Sequence, residues 1–188
     1  MPRKRTDWRL PFGLGLVALV VAAVVVIPTM ASARPNESGG QDELAGVRQA
    51  TARFHDLDAA LDAGYELGYL KNNGTRIITN CVAHPTAGAM GYHYFNKELV
   101  DDPAVDVDKP EVLVYAPRPD GLKLVAVEWV VPGPIWTDPP GVTEPPTVLG
   151  MRMHILVPAV GFYVMHAWIW KPNPAGIMAD WNPDVSCT

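Results

Sequence analysis

Only two of the 188 residues are cysteines, and no Cys-x-x-Cys pair occurs. That removes zinc ribbons and thioredoxin-type redox motifs. His-x-His and His-Glu-x-x-His are missing too, so no compact metal-ligand spacing is present. Neither a phosphate-binding glycine loop nor a nucleophile elbow can be found. Charge is sparse, at 19% of residues against about 25% in an average globular chain. The net charge is −5, and no basic stripe lies beyond the first ten residues. A nucleic-acid partner is therefore not expected. No internal repeat is visible.

The chain opens with Arg3, Lys4, Arg5 and Arg9, followed by an uncharged apolar run from Leu10 to Ile27. Pro28 breaks the run, and Ala31-Ser32-Ala33 supplies small residues in the pattern a signal peptidase cuts. Residues 1–33 thus read as a secretory signal peptide. The run is also long enough to serve as an uncleaved anchor, in which case residues 10–28 meet the membrane. With the prefix's four basic and one acidic residues taken from the 15 and 20 of the whole chain, 11 remain against 19. The polar stretch 34–41, RPNESGGQ, reads as a disordered linker. Residues 42–188 suit a single domain.

An even cysteine count in an exported chain favours a Cys81–Cys187 disulfide, with two free thiols as the alternative. From Asp42, Leu44, Val47, Ala50 and Phe54 recur at helical spacing. Asp56 is placed to cap a second short helix that Gly64 closes. After Tyr65 the pattern turns to strands: RIITNCV, GYHYFN, PEVLVYAP, LKLVAVEWVVP and the stretch from Met151 to Trp170. RPDG reads as a hairpin turn, and the Pro/Gly-dense segment after Pro132 as a long loop. The expected fold is α+β, with N-terminal helices packed on a curved antiparallel sheet or a partly closed barrel.

Strand alternation assigns faces. His93, Glu128 and His166 each interrupt an apolar face, and His154 shares a face with Arg152. An unpaired buried carboxylate is costly, so Glu128 on an apolar strand needs a partner. Histidine suits that role and is also a common metal ligand. His93, His154, His166 and Glu128 in one cavity would hold a metal, zinc or copper. Without metal, Glu128 with His93 or His166 would be an acid/base set. Tyr94, Trp168 and Trp136 are the aromatic candidates for a ligand wall. Each histidine also admits a plain reading as a hydrogen-bonded core residue.

The segments GYHYFN, PEVLVYAP, LVAVEWVVP and HAWIWKPNPAGIMADWNPDVSC resemble a group of exported bacterial proteins sharing GYHY, VEW/VEY-VP and WNPxVxC motifs. The resemblance covers roughly residues 50 to 188 and implies an exported, disulfide-closed domain with no particular activity. Three functions stay open. One is an exported domain binding a small molecule or metal ion in a His/Glu-containing aromatic pocket. Another is an enzyme of the hydrolase, isomerase or cyclase class using Glu128 with His93 or His166. The third is a structural envelope protein.

Overall fold

The computed structural model describes residues 35–102, 104–133, 144–155 and 161–188, with side chains from Glu43 onward. The signal-peptide segment, Trp136 and most of the Pro/Gly-dense loop lie outside these residues. Helix α1 (Pro35–Thr51) takes in residues 35–41, the stretch expected as a linker. It runs into a 3-10 turn (Ala52–His55) and then α2 (Leu57–Asp62). Asp56 caps α2 as expected, its carboxylate accepting from the Asp58 N–H at 3.0 Å. Gly64 follows with φ +87°, the left-handed geometry of a residue just past a helix end.

The strands then come in order. They are β1 (Tyr65–Leu67), β2 (Tyr69–Leu70), β3 (Arg76–Ile77), β4 (Val82–His84) and β5 (Gly88–Asn96). A short helix α3 (Lys97–Asp101) separates these from β6 (Val112–Arg118) and β7 (Gly121–Pro132). The last are β8 (Thr147–Val148), β9 (Met151–Arg152), β10 (His154–Ile155) and β11 (Phe162–Ala167). Seven of them form one open antiparallel sheet in the order β1-β5-β6-β7-β11-β10, with β4 also paired to β5. The fold is thus α+β, and the sheet does not close into a barrel. No helix among the described residues is long and apolar enough to cross a membrane.

RIITNCV was read as one strand and is two. Ile78 takes φ +57° and ends β3 after two residues. Positive φ is costly for a β-branched residue, so composition alone gave no warning of this break.

Each face of the sheet has its own core, as alternation dictates. On one, Leu44 and Val47 of α1 and Phe54 pack with Tyr94, Leu113, Tyr115, Trp129 and Met165. On the other, Phe95, Val112, Val114, Ala126, Val130, Val164 and Trp168 pack with Tyr69, Val100 of α3 and Val185. A β-bulge sets the phase between the two. Val114 pairs with Ala126 but Tyr115 pairs with Leu124, leaving Val125 as the extra residue. Leu124 therefore belongs to the helix-side core, whereas Val125 and Ala126 both join the other. Gly91 lies alongside: its φ is +126°, and a Cβ there would meet the Tyr115 carbonyl oxygen at 2.4 Å.

The C-terminal segment straps the second face. Asn182 exchanges two backbone hydrogen bonds with Ala89 of β5, each 3.2 Å. Val185 is buried in that core, and Cys187 is joined to Cys81 with Cα atoms 5.7 Å apart. The bridge closes a loop spanning 106 positions, which the chain-entropy model rates at about 4–5 kcal/mol. Such a bond belongs to an oxidising, extracytoplasmic setting.

Candidate functional site

Three strands carry the site, β5, β7 and β11, with β6 lying between the first two. His166 on β11 lies directly opposite Glu128 on β7. His93 on β5 lies opposite Val114, which in turn faces Ala126, two residues before Glu128. All three side chains therefore point to the strap side of the sheet. They are 3%, 4% and 0% exposed for His93, Glu128 and His166. The apolar neighbours that bury them are what made them conspicuous in the sequence.

Each carboxylate oxygen addresses one ring. Glu128 Oε2 lies 3.7 Å from His93 Nε2, and Oε1 lies 3.6 Å from His166 Nδ1. Hydrogen bonds of this kind close at about 2.7–3.2 Å. Both contacts are longer than that, which leaves His166 Nδ1 without a hydrogen bond to the carboxylate. His93 Nδ1, His166 Nδ1 and His166 Nε2 are buried with no hydrogen-bond partner. Each such group left without one costs about 1–3 kcal/mol.

Electrostatics follow from the same packing. Burial pushes the His93 imidazole down to about 4, although Glu128 pulls it back up and His166 adds to the lowering. His93 is therefore neutral at pH 7, with a lone pair available. Burial by itself would raise Glu128. The His166 ring against it, then His93 and His154, outweigh that and hold it below the ordinary carboxylate range. The centre thus presents an anionic carboxylate facing imidazole nitrogens, a donor set suited to a divalent transition ion. One ligand atom from each residue lies within 4.8 Å of the others.

Trp168 stacks on His166, ring centroids 5.2 Å apart and planes 30° from parallel. Its indole N–H donates to the Ala179 carbonyl, so the strap holds the stacking residue in place. His154, expected as a fourth ligand, does not join. Its side chain is 46% exposed and reaches Asp180 at 3.1 Å instead. The short edge strand β10 carries it to the rim of the face. Tyr94 belongs to the opposite face, where it meets Tyr115 edge-on at 5.1 Å. Trp136 is outside the described residues.

Two of the described cavities have volumes of about 450 and 380 Å³, and neither is lined by His93, Glu128 or His166.

Sequence reasoning passed over Glu111, the residue just before β6. It is 2% exposed and accepts a hydrogen bond from the Val130 N–H at 2.9 Å. Burial pushes its carboxyl up to about 8, with the Val130 N–H acting against burial and the Glu128 charge adding to it. In KPEVLVYAP a charged residue beside proline reads as a solvated strand end. The available signal was the run of five apolar residues after it.

No protein family, curated protein or solved structure matches this chain.

Proposed function

We propose that this protein is an exported metal-binding domain in which His93, Glu128 and His166 hold a zinc or copper ion. One observation carries the reading: two buried ring nitrogens, His93 Nε2 and His166 Nδ1, face the two oxygens of a buried carboxylate beyond hydrogen-bond distance. Zinc sits about 2.0–2.2 Å from nitrogen and oxygen ligands, so neighbouring ligand atoms on a tetrahedron are about 3.3–3.5 Å apart. The observed 3.6 and 3.7 Å separations are a few tenths longer. They suit two edges around an ion better than two hydrogen bonds. An ion would engage the two nitrogens that face the carboxylate, His166 Nδ1 among them otherwise unsatisfied, and balance the carboxylate charge.

The burial of all three residues favours a retained ion over one that exchanges substrates, since catalytic sites keep a position open. Export is supported by the disulfide and by the basic, apolar and small-residue order of the first 33 residues.

The test is elemental analysis of protein purified from an oxidising compartment, with melting curves in zinc and in copper. The expected result is one metal equivalent per chain, lost in Glu128→Gln and His166→Ala. A metal-free protein whose melting temperature ignores both ions overturns the reading.

A further inference from the structure

The cavity of about 380 Å³ is not lined by the buried histidines, and its walls combine Arg48 and Lys171 with Trp168, Trp170 and Ile177. We propose that it is a second binding site, for a small organic carboxylate whose flat apolar body rests against Trp170 and Ile177.

The charges make the first argument. Acidic residues outnumber basic ones by 20 to 15 along the chain. Arg76, Lys97, Lys109, Lys123 and Arg152 each pair with a carboxylate. Arg48 and Lys171 do not pair with one among the described residues, yet they converge on a single cavity. The second argument is preorganisation. Arg48 Nε donates to the Ile169 carbonyl at 3.0 Å, which anchors the guanidinium and leaves its two terminal nitrogens for a guest. That terminal edge is the fork that meets a carboxylate through two parallel hydrogen bonds. The Lys171 backbone is fixed as well, its N–H donating to the Val125 carbonyl at 3.1 Å.

The apolar wall argues against a bare inorganic anion. Trp170 is held rigid: its indole N–H donates to Thr51 Oγ1 at 3.2 Å, and its ring meets His55 edge-on at 4.3 Å. Both indole N–H groups in the wall are already engaged, with Thr51 and with Ala179. The wall therefore offers surface rather than donors. Ile177 is 37% exposed, one of few large apolar side chains left open to solvent. Apolar walls with a few fixed polar groups are how small-molecule sites are made, and the volume falls in their usual range.

Isothermal titration of the intact, oxidised protein with benzoate tests the proposal, with inorganic phosphate and benzyl alcohol as comparators. Benzoate binds saturably at roughly millimolar concentration, as expected of so small a ligand. Arg48→Gln weakens it about tenfold, the loss of a charged bidentate contact. Lys171→Gln weakens it by less and changes only a partly exposed side chain, so it keeps the test alive where Arg48→Gln fails to fold. Benzyl alcohol does not bind. Absence of saturable benzoate binding, or equal binding by both variants and the parent, overturns the site. Phosphate binding as tightly as benzoate overturns the organic carboxylate as its ligand.

Discussion

The two faces of the sheet treat their buried polar atoms in opposite ways. On the helix side Tyr65, Tyr115 and Trp129 are tied down. Tyr65 donates to the Pro110 carbonyl at 2.8 Å, Tyr115 to that of Phe54 at 2.7 Å, and Trp129 to that of Val107 at 3.2 Å. On the strap side three imidazole nitrogens have no partner at all. The hydroxyls and indoles staple helices and loops to the sheet. The imidazoles face the Glu128 carboxylate, the arrangement on which the proposed metal site rests.

The largest predicted effect concerns what holds the strap over its face. Replacing both Cys81 and Cys187 with serine lowers unfolding stability by about 4–5 kcal/mol, from the length of the closed loop. It also speeds metal loss to a chelator, because the segment that fixes Trp168 against His166 is then released. Denaturant titration and chelator kinetics read the two consequences separately. Unchanged chelator kinetics in a folded double variant would show that the strap does not guard the centre.

Next in size is the ion itself. Zinc or copper at a hundred times its dissociation constant raises stability by about 2.7 kcal/mol, and Glu128→Gln abolishes the gain. An equal gain in the variant would mean that the metal binds elsewhere and that the contrast between faces is not about metal.

The third prediction separates the two buried carboxyls by pH. The Glu111 carboxyl is raised from 4.5 to about 8 in the folded chain. Between those values the unfolded chain has released the proton while the folded chain keeps it. Stability is therefore greatest below pH 4.5 as far as Glu111 is concerned and declines as pH rises towards 8. The slope approaches 1.4 kcal/mol per pH unit. Glu111→Gln removes that decline in pH-dependent melting. A decline that persists in the variant assigns it to another group.

The smallest effect is Tyr115→Phe on the stapled face. Losing the hydrogen bond to Phe54 costs about 1 kcal/mol and leaves metal content unchanged. A loss of metal in this variant would mean that the two cores are not independent.

Much of this was readable in the sequence where one physical signal dominated. Leu44, Val47 and Phe54 announced the helix side by their spacing, and all three are buried. His93, Glu128 and His166 stood out because charge or ring nitrogen on an apolar strand is expensive. What failed depended on backbone detail. Strict alternation along β7 would put Leu124 on the face of Glu128, but the bulge at Val125 sends it to the other core. Helix α3 was missed because it is five residues long, although Asn96 caps it by accepting from the N–H groups of Glu98 and Leu99. His154 was grouped with the site because strand position says nothing of where a strand ends. β10 is two residues long and lies at the sheet's rim.

Those short rims have a consequence for how the sheet meets other chains. The long strands, β5 with nine residues, β6 with seven and β7 with twelve, all lie inside the sheet. Among the described residues, β1 and β4 offer a stranger three residues each, and β10 offers two. Another molecule trying to extend the sheet finds almost no ladder to climb. Edges this short are one of the ways a β-rich fold discourages strand-to-strand association.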